Sequence, residues 1–374
     1  MLFRVSKVER LRRLGRAFVN VLPFSTLLFI GLEWNGIPGQ PERDSVAYFT
    51  ASRSAGPGSD LYGDQPSRGP HEFSGEWLYL YPPPLAALLS FTPDVSYRTF
   101  DRFWLLVNML SMWLFGASLA RLRLGHWSVR GTLNWTAVVF LMPGSLLAVH
   151  FGNLSPVIWA LVGLGLALPR LTGAALTVAA AFKITPVWAL ITLLIRRPRK
   201  HLGSAVASGA LLTLISLKVF GLENLIRLCI RWFTDVAPAL SQGQFWGGSL
   251  AILKGGIGPL EILGNLSLSF LPVQVAVLSG WGYDGGTLPP MIRLYLLLAG
   301  VGGPLVLLWL LRRHSPQLQA TLILAAALFL SPITRVFSLP LLLLPLALRM
   351  RDRSRTLPAS TAEEEGIRPS EELR

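Results

Sequence analysis

Long runs of Leu, Val, Ala and Phe without a charge alternate with short polar or basic stretches along the chain. An α-helix needs about 20 apolar residues to cross a hydrocarbon layer of about 30 Å, and several runs come close to that length. In order they predict spans over about 17–34, 100–120, 131–149, 154–168, 202–220, 291–311, 317–331 and 334–349. Residues 85–92 are apolar but too few to cross. The stretch 259–280 carries Glu261, Asn265 and Pro272, which reads as an interfacial or re-entrant segment. After the first span comes a polar stretch, 35–77, rich in Gly, Pro, Ser and Asp. A loop that long in a compact protein is functional or disordered. It closes on Trp77-Leu-Tyr79-Leu-Tyr81-Pro-Pro-Pro84, an aromatic cluster suited to the membrane–water boundary.

The run from Leu171 to Ile195 breaks the pattern. As one span it would bury Lys183 and Pro186 at hydrocarbon depth and put Arg196, Arg197, Arg199 and Lys200 outside. A charge at that depth costs about 3 kcal/mol, and proline has no N–H to give to the helix. Two short helices, 172–182 and 186–195, folded as a hairpin remove both problems and return the basic cluster to the inner side. The pattern therefore predicts an all-α polytopic membrane protein of about ten membrane helices, this hairpin included, with a long first outer loop. Residues 1–16 form a basic cytoplasmic N-terminus. Residues 17–349 form the membrane domain, with outer loops at 35–99 and 221–288. Residues 350–374, Arg-rich and then Glu-rich, form a disordered cytoplasmic tail.

Composition supports the class. Soluble chains carry about 25% charged residues; this one, of 374 residues, carries 14%, with 52% apolar and a mean hydropathy of +0.50. A soluble enzyme, a nucleic-acid-binding module and a transmembrane β-barrel are excluded. The net charge of +14 is no nucleic-acid footprint. More than half of the 34 Lys and Arg stand in short clusters at 1–16, 121–130, 170, 196–200, 312–313 and 349–355, each against an apolar segment. That is the positive-inside pattern. Glu42, Asp44, Asp60, Asp64, Glu72, Glu76, Asp94 and Asp101 gather between the first two spans, on the opposite side. Both termini are thus placed in the cytoplasm. The first apolar run lacks a small-residue cleavage site and reads as a retained span rather than a signal peptide. Cys229 is the single cysteine, and the five His show no ligand spacing, so no metal site is indicated.

Candidate chemistry begins at Glu42-Arg43-Asp44, just outside the first span. A solvated loop face is the plain reading. The following Tyr48 and Phe49 favour another: a carboxylate fixed at the membrane surface beside aromatic rings is placed to take a proton from a sugar or lipid hydroxyl.

The run Asp44-Ser-Val-Ala-Tyr48-Phe-Thr-Ala-Ser-Arg53, then Leu61-Tyr62, then Leu78-Tyr79-Leu-Tyr81-Pro-Pro-Pro-Leu-Ala-Ala-Leu-Leu resembles glycosyltransferase family 87. That family includes the polyprenol-phosphate-mannose-dependent α-mannosyltransferases of actinobacterial lipid glycosylation. Gly152-Asn153-Leu-Ser is similar to its Gly-Gln-x-Asn element. Ala179-Ala-Ala-Phe-Lys183-Ile-Thr-Pro186 resembles its Lys-x-x-Pro element, and Leu330-Ser331-Pro332-Ile-Thr334 its late Ser-Pro-x-Ser element. The resemblance covers about 17–349 and implies a GT-C architecture with a lipid-phosphate sugar donor. It implies Asp44 as catalytic base and Lys183 as the cation on the donor phosphate. Where the family usually continues with Trp and a His-Tyr pair, this chain reads Arg335-Val-Phe337-Ser338.

Elementary chemistry agrees. A polyprenyl phosphate is anionic and lives in the bilayer, so its site needs a cation at membrane depth. Lys183 meets that need; a snorkelling lysine near a helix end is the alternative. Arg335 adds a second positive charge, or is an ordinary loop charge. Asn153 and His150 serve as helix caps or substrate contacts. Gln242, Gln244, Trp246 and Ser249 suit a sugar subsite, and Tyr79 and Tyr81 read first as interface anchors. No Asp-x-Asp motif is present, and Glu42 with Asp44 is a thin basis for a cation site. No cofactor is expected, with a divalent metal left open.

The resulting expectation is an integral enzyme of the cell membrane with its site facing outside. It transfers a hexose, mannose first, from a polyprenyl phosphate to a glycolipid or glycan acceptor in one inverting displacement. Asp44 is the base; Lys183 and Arg335 bind phosphate; Glu42, Tyr48, Tyr81, Asn153, Gln244 and Trp246 line the substrate. The partners are lipid bilayer, donor and acceptor, and no nucleic acid. The rival is a transporter or lipid-linked sugar flippase, since a membrane lysine and a broken helix also mark transport paths. Transporters commonly pair such breaks in repeats, and this chain shows no second copy.

Overall fold

Ser96 starts the longest helix among the described residues: its hydroxyl accepts from the Thr99 N–H at 3.3 Å, and the helix runs Tyr97–Leu124 until Gly125 turns into the left-handed region. The computed structural model describes residues 43–62, 79–237, 294, 298–330 and 336–356, and every regular element among them is helical. In chain order these are α1 (Ser45–Ser54), α2 (Pro83–Leu89), α3 (Tyr97–Leu124), α4 (Val129–Leu141) and α5 (Pro143–His150). Then come α6 (Ser155–Ala167), α7 (Thr172–Phe182), α8 (Val187–Arg196), α9 (Pro198–Phe220) and α10 (Leu222–Arg231). A wide turn of helix at Trp232–Val236 continues α10, and after another at Leu298–Gly302 follow α11 (Gly303–Leu310), α12 (Pro316–Leu330), a tight turn of helix at Val336–Leu342 and α13 (Leu343–Thr356). The expected span 17–34 and the re-entrant segment 259–280 lie outside the described residues.

α3 is the spine. Phe100, Trp104, Leu105, Met109, Met112, Phe115 and Leu119 face inward and are buried, while Phe103, Leu106, Leu110 and Leu114 recur at helical spacing on its exposed side. An apolar outer stripe suits lipid, where backbone bonding is already complete within the helix. α4, α6 and α13 pack along the inner face.

The expected single span 131–149 is instead two helices. α4 ends at Leu141, and Pro143 begins α5. Proline cannot donate the backbone bond a continuous helix would need there.

The hairpin expected at 171–195 is present. A Cβ on Gly173, at the start of α7, would collide with the His201 carbonyl oxygen near the start of α9. Further along, Gly209 of α9 stands beside Thr177 of α7. α7 and α9 therefore run side by side in the same direction, and α8 runs back between them in sequence. Lys183 and Pro186 bound the break, with Lys183 in extended backbone. α6 precedes α7 as an antiparallel partner, so close that a Cβ on Gly165 would lie 3.1 Å from that of Ala175.

These directions collect the basic loops at one end. Arg121 donates from Nε to the Ala167 carbonyl at 3.0 Å, and Arg196 from Nη1 to the Arg312 carbonyl at 2.6 Å. The opposite end holds Arg43 to Tyr62, the segment 79–96, the α5–α6 connection and the Lys183–Pro186 tip. α10 lies across that end. Asn224 donates from Nδ2 to the Gly56 and Ser59 carbonyls, each at 3.2 Å, and Trp232 from Nε1 to the Leu80 carbonyl at 3.2 Å.

Among the described residues two helices, Tyr97–Leu124 and Pro198–Phe220, are long and apolar enough to cross a membrane, and a third if α4 and α5 count as one bent span. α6, α7, α8 and α12 are shorter apolar helices. The helical, membrane-type architecture is as expected. α13 continues to Thr356, beyond the point where the sequence suggested the tail begins.

Candidate active site

Asp44 stands immediately before α1, and its position is fixed from both sides of the backbone. Its N–H donates to the Phe151 carbonyl at 2.8 Å. Its Oδ2 accepts from Asn153 Nδ2 at 2.5 Å. The other end of that amide, Asn153 Oδ1, accepts from the Ser155 N–H at 2.9 Å and from Ser155 Oγ at 2.6 Å, at the first residue of α6. Ser155 Oγ in turn accepts from Lys183 Nζ at 3.4 Å, the long end of hydrogen-bond distances. Lys183, Ser155, Asn153 and Asp44 thus form one directional chain, each donating to the next. Asn153 and Ser155 are buried, while Asp44 and Lys183 are half-buried at its two ends.

Aromatic rings back this chain. Tyr48 is fully buried; its hydroxyl accepts from the Leu154 N–H at 3.1 Å and donates to the Tyr81 hydroxyl at 2.8 Å. Its ring lies 5.1 Å from that of Trp104, whose Nε1 donates to the Gly152 carbonyl at 2.7 Å. Tyr62 donates to the Tyr81 carbonyl at 3.0 Å and Tyr79 to the Pro82 carbonyl at 2.9 Å. Tyr79 is therefore a core residue rather than an interface anchor, because its hydroxyl is satisfied by backbone inside the fold. Burial, the main cause, holds the phenols of Tyr48, Tyr62 and Tyr79 well above the usual tyrosine range; the nearby Tyr81 and Asp44 add to the shift at Tyr48.

Gly152 completes the turn that presents Asn153. Its φ of 63° is one that glycine adopts without cost. A Cβ there would also lie 3.0 Å from Ser45 Oγ and 3.3 Å from Arg43 Nη2.

Three participants were not picked out from sequence. Ser155 joins Asn153 to Lys183. Arg43 and Asp101 form a buried ion pair, Arg43 Nε lying 3.0 Å from Asp101 Oδ1 and 2.9 Å from Oδ2. Asp101, grouped above with the outer-loop acids, stands inside α3. His150 contributes its carbonyl to Arg43, and its ring stands edge-on to Phe151. Glu42, Arg335, Gln244 and Trp246 lie outside the described residues. Among the described residues no three His, Cys, Asp or Glu group closely enough to hold a metal ion.

Fold and site together define a helical membrane protein with a carboxylate-to-ammonium polar chain at the end opposite its basic loops. The chain belongs to glycosyltransferase family 87, whose model matches residues 79–354, well over half of its length. It is accordingly a membrane glycosyltransferase. The matched stretch takes in Tyr81, Asn153, Ser155, Lys183 and Arg335, and begins after Asp44 and Tyr48. No curated protein and no solved structure gives a significant match.

Proposed function

We propose that the protein transfers a hexose, mannose first, from a polyprenyl phosphate to a glycolipid or glycan acceptor at the outer face of the cell membrane. The proposed setting is a GT-C-type bundle of about ten membrane helices with both termini in the cytoplasm. Asp44 takes the proton of the acceptor hydroxyl. The acceptor oxygen forms its bond to the anomeric carbon as the bond from that carbon to the phosphate oxygen breaks. The polyprenyl phosphate leaves with the electron pair, and Lys183 offsets its negative charge. One displacement inverts the centre, so a β-linked donor gives an α-linked product. Arg335 adds a second cation to the phosphate, and Glu42, Tyr48, Tyr81, Asn153, Gln244 and Trp246 line the sugar and acceptor.

The observation that supports this reading is the hydrogen-bonded chain from Lys183 to Asp44. It links Asp44 and Lys183, distant in sequence, through Asn153 and Ser155, as the proposed base and the proposed phosphate-pairing cation would require. The test is incubation of the purified protein with radiolabelled polyprenyl-phosphate mannose and a lipid extract. Label should move to a new lipid or glycan. Intact donor after prolonged incubation with both lipid and glycan acceptors would reject the reading.

A further inference from the structure

We infer that the buried Arg43–Asp101 pair is a positioning device that sets where the Asp44 carboxylate stands relative to Asn153 and Lys183. The inference rests on the reading of Asp44 as base.

Arg43 is the residue directly before Asp44, and its side chain is 3% exposed against 0% for Asp101. Its guanidinium serves three partners at once: Nε on the Asp101 carboxylate, Nη2 on the Val149 carbonyl at 3.2 Å, and Nη1 on the His150 carbonyl. Ser45, the residue directly after Asp44, donates from Oγ to Asp101 Oδ1 at 2.6 Å. Both neighbours of Asp44 are therefore pinned to one carboxylate of α3. The two carbonyls held by Arg43 end α5, three and four residues before Asn153. One guanidinium thus fixes the backbone that carries the base and the backbone that carries the amide facing it.

The choice of residue types supports a geometric role. A buried ion pair is a weak source of stability, and apolar residues of similar volume often serve the fold as well or better. What they lack is direction. Only the planar fork of arginine reaches a carboxylate and two carbonyls in fixed orientations; a lysine ammonium is a point charge on a flexible stem.

The experiment compares transfer kinetics, donor affinity and thermal stability for Ser45→Ala, Arg43→Lys, the double variant Arg43→Met/Asp101→Leu, and Asp44→Asn. Misplacing a reacting group by about 1 Å costs on the order of 10²-fold in rate. Arg43→Lys and the double variant should therefore lose kcat on that order, with donor Kd within about threefold of wild type. Ser45→Ala, which removes the hydroxyl's bonds to the Asp101 carboxylate and to the Tyr97 hydroxyl but leaves the ion pair, should fold normally and lose kcat severalfold. A folded double variant with wild-type kcat would overturn the inference and leave the pair structural. If the double variant does not fold, unchanged kcat in Ser45→Ala overturns it instead. Asp44→Asn separates the two ideas: near-normal transfer there rejects the base itself, whereas loss of transfer there with unaffected Ser45 and Arg43 variants rejects only the positioning.

Discussion

Asn153 donates to Asp44 across 2.5 Å, although 109 positions separate them in the chain. The contact joins the segment before α1 to the start of α6, and through Ser155 it reaches the tip of the α7–α8 hairpin. The site is thus assembled from three parts of the fold, with the partner distances set by helix packing rather than by any one loop.

Replacing Asp44 by Asn keeps shape and removes the base. A positioned general base contributes about 10²- to 10⁴-fold, so kcat should fall by that much while donor binding and stability persist. Single-turnover transfer and equilibrium donor binding on the same sample check this.

Lys183→Ala should weaken donor binding and slow turnover together, because attraction to the phosphate grows as the bond breaks. Lys183→Arg keeps the charge in a wider group and should rescue in part. A snorkelling lysine would leave both variants active. Donor affinity and rate for the three proteins in one detergent decide the matter.

Asn153→Asp would set a second carboxylate against Asp44. Like charges disfavour ionisation, so the base should stay protonated to a higher pH, and the acid limb of the kcat profile should move up by about a unit or more. An unshifted limb would place the Asn153 contact outside the catalytic cycle.

In a Cys229→Ser background, which removes the native thiol of α10, a cysteine placed near Lys200 reports on the hairpin's orientation in the membrane. It should react with an impermeant thiol reagent only from the cytoplasmic side of sealed cells or vesicles. Labelling from outside would reverse the proposed topology.

Buried phenols tie the tyrosine cluster to alkaline stability. The folded protein holds the protons of Tyr48, Tyr62 and Tyr79 more tightly than the unfolded chain, whose phenols titrate near pH 10. Their contribution to stability is therefore complete below about pH 10 and shrinks as pH rises above it. Phenolate absorbance from these residues should appear together with loss of helical circular dichroism.

The hairpin was legible in the sequence because Lys183 and Pro186 each conflict with a continuous span, one by charge and one by a missing donor. Asp44, Asn153 and Lys183 were legible singly as polar residues beside apolar runs. Their convergence was not, since nothing local encodes a bond between positions 44 and 153. Arg43 and Asp101 were missed for a definable reason. Arg43 looked like a solvated loop charge, and Asp101 was grouped with the acidic loop. The available signal was the run Phe103-Trp-Leu-Leu that follows Asp101: a carboxylate leading into an apolar span needs a partner. The break at Pro143 offered the same missing-donor signal as Pro186, but without a charge beside it the apolar run appeared continuous.

Short helices also impose a depth. α6, α7 and α8 have 13, 11 and 10 residues, roughly 20, 17 and 15 Å at about 1.5 Å per residue. A hydrocarbon core is about 30 Å thick. On the proposed topology, with the basic ends of these helices at the inner boundary, Lys183 would be reached after little more than half of that thickness, in the opening above the hairpin tip rather than at the headgroup plane. On that reading a donor phosphate would have to sink beneath its neighbours to meet it. A bulk phospholipid, moored at the surface by its own headgroup, would drift past at the wrong height, and selection among lipids would start with elevation before any atom is recognised.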